Sequence, residues 1–434
     1  MLDINFIRAN RQKVEDAIHN KVYDIDLDEI LRLDDERKEL SREIDALRQE
    51  RNQISAQMKG GKPDPKLIEQ GKELKAKLAE VEPKLAEIEQ DFITKLKQVP
   101  NVYEDDVPIG LTEDDNQVAE VCGEPTKFKF APKNHYEIGQ ARGWIDKERA
   151  SKVAGARFAY IKGDMVKLQM AIVNFVMNSL SNQEVISEII DKAGLKGQVV
   201  DKPFTIVLPP LMLRTEMYDA MDRLEPREDR YKIEGEELWL QGSAEHVLGS
   251  MHAGEIFEEK ELPVRYLGYA TSFRQEAGTY GKDMEGIIRM HQFDKLEMES
   301  FSTKETSRKE HELFVAIQRW LVEQLELPYR VIRKCTFDIG KPDARGIDIE
   351  VWLPGQDKYR ETHTADYMTD YQSRRLQTRV RRDSGDLELV HTNDATAFAL
   401  GRIMIAIIEN YQNEDMTVRV PKVLQKYLDG KEII

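Results

Sequence analysis

The 434-residue sequence has little cysteine, only Cys122 and Cys335. They stand far apart and outside any metal-ligand spacing, so neither a disulfide framework nor a cysteine metal knot organises the chain. Both read as packing residues of a protein in a reducing compartment. Long apolar runs are also lacking, since no stretch approaches the roughly 18 residues of a membrane span. The opening MLDINFIRAN has no apolar signal core. The expectation is a cytoplasmic protein with no membrane partner. Positive charge is in deficit, 64 Lys and Arg against 80 Asp and Glu, for a net charge of −16. That excludes coating nucleic acid through bulk charge and leaves room for a local basic strip. No glycine-rich phosphate loop of the G-x-G-x-x-G or G-x-x-x-x-G-K-[ST] kind is present. A nucleotide, if bound, must be held by arginines.

What is present begins with two heptad series. Leu33, Leu40, Leu47 and Ile54 repeat at one position, with Ile30, Ile44 and Met58 at the companion position, which Arg37 and Arg51 interrupt. Lys59-Gly-Gly-Lys-Pro63 breaks the helix. Leu67, Leu74, Val81 and Ile88 then form a second series, with Leu78, Leu85 and Phe92 beside it and Pro83 as an internal kink point. The spacing predicts a long antiparallel coiled-coil hairpin over about residues 27–97, roughly 45 Å long at 1.5 Å per residue. Near its tip Arg48, Arg51, Lys59, Lys62, Lys66, Lys72, Lys75 and Lys77 outnumber the acids, a candidate phosphate-backbone strip. A dimerisation coiled coil is the plainer alternative. The proline- and acid-rich segment 100–110 reads as a linker, which divides the chain into an all-α arm, 1–105, and a second domain, 106–434.

The second domain mixes helices and strands irregularly, which predicts an α+β fold. Gly139 and Gly143 read as a turn, 157–161 as a strand, 165–180 as a helix, and 204–210 as a strand stopped by proline. Helix, strand and proline in that order make a candidate dimer edge. Residues 217–230 read as irregular. Leu238–Leu240 leads into a small-residue turn with Ser243 and Glu245. A helix is expected at 307–325 and strands at 329–337 and 348–353. Arg374 to Arg382 reads as a basic strand, and Ala395 to Ile408 as an apolar helix presenting Arg402.

The stretch Ser272–Glu299, SFRQEAGTYGKDMEGIIRMHQFDKLEME, is the candidate centre. Phe273–Glu276 ends an apolar strand, Gly278–Gly286 turns, and Ile287–Glu297 alternates as a partner strand. Arg274 and Arg289 then share a face with Phe293 and carboxylates. Guanidinium forks suit phosphate oxygens and a ring suits a base. An ordinary solvated hairpin is the alternative at this point.

Several phrases in order, LDDERKEL and RQERNQIS in the arm, VPNVYEDDVPIG, GARFAYIKGD, FRQEAGTYGKDMEGIIRMHQFDKLE and TAFALGRIMIAIIENYQ, resemble the seryl-tRNA synthetases of class II. DIEVWLPGQ and DYQSRR are similar too. The resemblance implies a homodimer with a seven-stranded-type antiparallel catalytic sheet flanked by helices, and an arm that holds a serine tRNA across the dimer. A selenocysteine tRNA is a further candidate acceptor. It implies serine activation with ATP and Mg²⁺ to seryl-adenylate. Arg274 would grip the α-phosphate and the carboxylate, Gln275 would lie at the ATP site, Glu276 would take the adenine amine, and Met290 and Phe293 the base. Glu361, Thr362, His363 and Thr364 would lie near the phosphates, with Glu361 on the metal, and Arg402 at the γ-phosphate. Serine would meet Ser243, Ala244, Glu245, Arg274, Glu297 and Thr396.

Departures from the family pattern are Ser243 for threonine, 363–367 (HTADY), Glu285 for arginine, Asp394 for asparagine, and the segment 217–235. Alternatives are a paralogue that activates another small amino acid, or a non-catalytic tRNA-binding relative.

Overall fold

The computed structural model describes residues 1–58, 64–277 and 286–434. The chain forms two compact units, Met1–Val102 and Tyr103–Ile434.

The first unit is helical. Short helices Ile4–Ala9 and Arg11–Asn20 precede α1 (Leu27–Gln57) and α2 (Pro65–Leu96). An aspartate caps each long helix by accepting an otherwise orphaned amide: Asp26 from Glu29, and Asp64 from Lys66. Pro65 fits the first turn, where its missing N–H has no partner to lose. Ile44, Leu78 and Val81 are buried in the seam, with Leu40, Leu47 and Leu85 partly buried beside them. Such a narrow stripe is what heptad spacing builds. Arg37 extends it, its guanidinium 4.5 Å from the Phe92 ring centroid, whereas Arg51 is exposed. Pro83 lies inside α2 without ending it. Fully buried Asp34 accepts hydrogen bonds from Arg8 (2.7 Å), Arg37 (2.7 Å) and Lys38 (2.6 Å).

The second unit is built on a sheet that has eight strands among the described residues. They are β1 (Gln117–Cys122), β2 (Thr205–Val207), β3 (Val264–Phe273), β4 (Gln292–Ser302), β5 (Tyr329–Arg333), β6 (Arg345–Leu353), β7 (Lys358–Thr369) and β8 (His391–Ala399). Their spatial order is β1-β5-β6-β7-β8-β4-β3-β2. Every pairing is antiparallel except β2 with β3. Seven strands therefore form the antiparallel sheet, with a parallel eighth at one edge. Helices α3 (Asp164–Leu180), α4 (Ser307–Gln324) and α5 (Leu400–Asn410) bury Leu168, Ile172, Phe314, Ile317, Ile403 and Ile407 in one core with the sheet. Burial of that kind stabilises by about 1.5–3 kcal/mol per large side chain.

Several local expectations are corrected. Gly139 is not in a turn: it lies in the helix His135–Ala141, where a Cβ would come within 2.5 Å of Ile145. In 157–161 only Tyr160–Ile161 is strand, and 217–230 contains the end of the helix Thr215–Ala220. Arg374 and Arg375 stand on the helix Tyr371–Leu376, and only Arg379–Arg381 is strand. Their charge is taken up locally, Arg374 by Asp370 one turn earlier and Arg375 by Asp219 and Asp222. Ala395–Ala399 is strand, the helix starting at Leu400. The small Ala395 and Ala397 are fully buried in the sheet core, so their size serves sheet packing. The partner strand of the central hairpin starts at Gln292, since Ile287–Arg289 are turn and bend. The turn expected from Gly278 lies, over 278–285 and with Glu285, outside the described residues, as do Lys59 and Lys62.

Candidate active site

Strands β3 and β4 pair in register from Val264↔Phe301 to Phe273↔Gln292. The two-residue period of β4 puts Phe293, Lys295, Glu297 and Glu299 on one face. Opposite Glu297 stands Gly268, and a Cβ there would come within 2.8 Å of Leu248. The missing side chain lets the short helix Glu245–Gly249 settle on β3, which brings Glu245 to the β4 carboxylates.

One cleft is lined by Glu245, Arg274, Glu276, Ile287–Met290, Phe293, Lys295, Glu361, Thr362, Thr364, Thr396 and Arg402. At its mouth Arg274 donates from Nε to the Gly242 carbonyl (2.9 Å) and lies 5.4 Å from the Phe293 ring centroid. Glu276 accepts from Arg289 at 2.7 Å. Its φ of 54° is in the left-handed region, a strain that persists where the surroundings impose it. Arg402, in the first turn of α5, donates to the Glu361 carbonyl (2.8 Å) and lies 3.2 Å from its carboxylate. Glu361 is about half exposed; partial desolvation in the cleft raises its pKa, but Arg402 and Lys334 outweigh that and hold the group below the usual range.

Deeper in, Ser243 donates to Glu245 (2.7 Å) and accepts from Lys295 (3.0 Å). The Lys295 ammonium lies 2.6 Å from Glu297 and 3.6 Å from Glu245. Thr396 donates to Glu297 at 3.5 Å. Burial, with Lys295 opposing it, pushes Glu297 up to about 7. For Glu245, burial is overcome by Lys295, His246 and Arg223, which hold it well below the usual carboxylate range. Glu299 and Asp394 face each other across β4 and β8 and are both raised well above it, first by burial and then by neighbouring carboxylates. Glu245, Glu297 and Asp394 can bring oxygens within 4.8 Å of one another, and Lys295 already supplies a cation to two of them.

Five of the expected residues do not line this cleft: Ser243 and Glu297 lie beneath it, bonded to the lining residues Glu245 and Lys295, and three others serve elsewhere. Gln275 donates to the Arg230 carbonyl (2.8 Å) and so braces the segment before β3. Fully buried His363 shares a 2.7 Å hydrogen bond with Thr362, packs on Phe398, and is pushed down to about 3 by burial, which keeps it neutral. Ala244 is a buried spacer against Leu248 and Ala270. On the arm, Arg48, Arg51, Lys66, Lys72, Lys75 and Lys77 are exposed, Arg48 bonding Glu82 at 2.9 Å. The cleft thus offers cationic forks, a ring wall and a carboxylate pocket in series, suited to a phosphate, a base and a small ammonium compound.

Family models match both units: "Seryl-tRNA synthetase N-terminal domain" at residues 1–103, and "tRNA synthetase class II core domain (G, H, P, S and T)" at 229–411. The serine–tRNA ligase of Thermodesulfovibrio yellowstonii is 40% identical over 443 residues, covering 100% of each chain. The chain belongs to the seryl-tRNA synthetase family. A solved seryl-tRNA synthetase of Pyrococcus horikoshii, complexed with ATP, superposes with a TM-score of 0.87 at 36% identity, covering 100% of this chain and 99% of that one. The cytoplasmic serine–tRNA ligase of Naegleria fowleri, in complex with AMP, gives 0.83 at 25% identity, covering 100% and 98%.

Against this family frame, sequence reasoning missed two residues of the pocket. Lys295 was detectable, since it lies between Phe293 and Glu297 on the same strand face. Arg223 lies within 3.2 Å of Asp343, 3.4 Å of Asp394 and 3.7 Å of Glu245. It comes from the segment 217–235, where no sequence signal marks it. Its charge sits beside Asp394, one of the buried acids of the pocket.

Proposed function

We propose that this chain is a serine–tRNA ligase that activates L-serine with ATP and passes the seryl group to the 3′ end of a serine tRNA. The observation that carries the reading is the single cleft that joins Arg274, Phe293 and Arg402 to the Glu245–Glu297 pocket. A serine carboxylate oxygen attacks the α-phosphorus, a P–O bond forms to give seryl-adenylate, and pyrophosphate leaves. The nucleophile is already ionised, so positioning and charge stabilisation carry the step and no general base is required.

In this reading Arg274 holds the α-phosphate and the incoming carboxylate, and Arg402 the γ-phosphate. Phe293 and Met290 flank adenine, and Glu276 accepts from its amine. Thr362 and Thr364 lie by the phosphates, while Gln275 and His363 act as braces behind them. Mg²⁺ takes one or two carboxylates together with substrate phosphates. Glu361, kept ionised at the cleft wall, fits that role, and the ion would neutralise phosphate charge. Serine's ammonium and hydroxyl would meet Glu245, Ser243, Glu297 and Thr396, with Ala244 setting the spacing. Alanine would leave the hydroxyl's partners unpaired and threonine would need space for a methyl, so both are rejected.

The exposed lysines and arginines of α1 and α2 support a tRNA contact by the arm. A homodimer is supported by exposed Val166 and Met170, one turn apart on α3, and by exposed Ile206 and Leu208 at β2. Among the described residues no helix is long and apolar enough to cross a membrane. With Cys122 and Cys335 both reduced, we assign the chain to the cytoplasm.

ATP–pyrophosphate exchange with serine, threonine, alanine and glycine in turn tests the reading. Serine should support exchange best. Faster exchange with any of the others would overturn the specificity.

A further inference from the structure

The first residues of the described chain after residue 285 form a wall of the cleft, and a buried histidine holds them. His135 is 2% exposed, and its Nε2 accepts a hydrogen bond from the Ile287 amide at 3.2 Å. On its other side Nδ1 lies 2.9 Å from Oε1 of Glu409, a fully buried carboxylate on α5. Glu409 also accepts from the His135 amide (2.9 Å) and the Gly355 amide (2.9 Å). Two backbone N–H groups thus converge on one carboxylate, and because the Ile287 amide can only donate, Nε2 accepts and Nδ1 is left to donate to Glu409. The Nδ1–H tautomer follows, and it leaves Nε2 bare, the form an amide N–H requires of its partner.

The imidazole is fixed in place by its own surroundings. Lys133 and Gln412 exchange two hydrogen bonds, Lys133 N to Gln412 Oε1 at 2.7 Å and Gln412 Nε2 to the Lys133 carbonyl at 2.9 Å. These tie the backbone ahead of His135 to the end of α5. On another side Gly401 of α5 is a neighbour of the Ile287 carbonyl, which a Cβ there would meet at an ordinary contact distance of 3.4 Å. A Cβ on Gly286, whose φ is 66°, would overlap the His135 ring. Gly286 and Ile287 therefore fit against one imidazole. The residues that follow are Ile288, Arg289 and Met290, and Arg289 is the partner of Glu276.

We propose that His135, oriented by Glu409, is a positioning residue for the nucleotide end of the cleft. It fixes Ile287 so that Met290 and the Arg289–Glu276 pair stand where the base is recognised. The same helix that presents Arg402 carries Glu409 two turns later, so the phosphate end and the base wall are set by one rigid element. The proposal rests on reading the cleft as an ATP site.

Asparagine and glutamine separate the two ring nitrogens. His135→Asn keeps a donor near Nδ1 for Glu409 and loses the acceptor for Ile287, whereas His135→Gln keeps an acceptor near Nε2. In serine-dependent ATP–pyrophosphate exchange, H135N should raise the KM for ATP about tenfold, the loss of one buried hydrogen bond, and leave the KM for serine within about twofold. H135Q should recover most of the ATP effect. A purely structural role would lower Tm and change both KM values alike in both variants, and that pattern would overturn the proposal, as would a wild-type ATP KM in H135N. If H135N does not fold, ¹⁵N-histidine spectra of the wild-type protein decide: an unprotonated Nε2 supports the assignment and a protonated Nε2 overturns it. Wild-type protein without serine-dependent exchange would defeat the functional reading instead, so the two failures are distinct.

Discussion

Two fully buried carboxylates, one in each unit, are treated in opposite ways. In the arm, Asp34 accepts from Arg8, Arg37 and Lys38, and these bonds overcome the burial that would raise its pKa and hold it below the usual range. In the sheet, Glu299 has no hydrogen-bond partner for either oxygen among the described residues, and burial with facing Asp394 pushes it far up. The arm neutralises its buried charge locally because only its fold depends on it. The sheet gathers Glu245, Glu297, Glu299 and Asp394 with fewer cations than acids, an arrangement that costs stability and suits a site that receives a cationic substrate.

The largest effect should come from the phosphate end of the cleft. On the proposed role of Arg402, Arg402→Ala would remove two charge-assisted hydrogen bonds to ATP, and kcat/KM for ATP in the exchange assay should fall about 100-fold or more. Near-normal exchange would place the γ-phosphate elsewhere. The two acids themselves give the next contrast. Asp34→Asn should destabilise the first unit by about 2 kcal/mol in urea unfolding and leave exchange intact. Glu299→Gln should change stability by less than about 0.5 kcal/mol at pH 4 and increase it at pH 8.

The signs follow from the directions of the shifts. Asp34 is lowered, so its contribution is present above an unfolded value of about 4 and is lost as pH falls through its folded value. Glu299 is raised, so stability is intact below about 4 and lost as pH rises toward its folded value. Equal pH dependence of the two variants would erase the contrast.

A smaller effect concerns Glu297, which burial pushes up to about 7. It is protonated below that value, so kcat/KM for serine should rise as pH increases through 7, and Glu297→Gln should remove that step. A step that persists in the variant would belong to another group. Smallest, reversing charge at Lys72 and Lys75 should raise the KM for tRNA several-fold and flatten its salt dependence, with exchange untouched.

The two units also differed in how far they could be read from sequence. The arm was legible because a coiled-coil seam is local: Leu33 to Ile54 and Leu67 to Ile88 declare themselves by spacing alone. In the sheet, local pattern misled where tertiary packing decides. Ala395–Ala399 has the small residues of a packed helix yet runs as a central strand, with Ala395 and Ala397 fully buried in the sheet core. Arg374 and Arg375 look like strand charge and sit on a helix, Arg374 paired with Asp370 one turn earlier and Arg375 with Asp219 and Asp222, which are distant in sequence. Arg274, Glu276, Phe293 and Arg402 were accessible through the resemblance, and the structure gathers them in one cleft. Lys295 was readable from the β4 period and was overlooked. Arg223 and His135 were not readable at all, because their partners stand in other elements.

The division of labour between the units is tested most directly by deleting residues 36–90, the distal part of the arm, and measuring both half-reactions in the same preparation. Serine-dependent ATP–pyrophosphate exchange should persist while tRNA charging is lost. Unimpaired charging by the shortened protein would contradict the account.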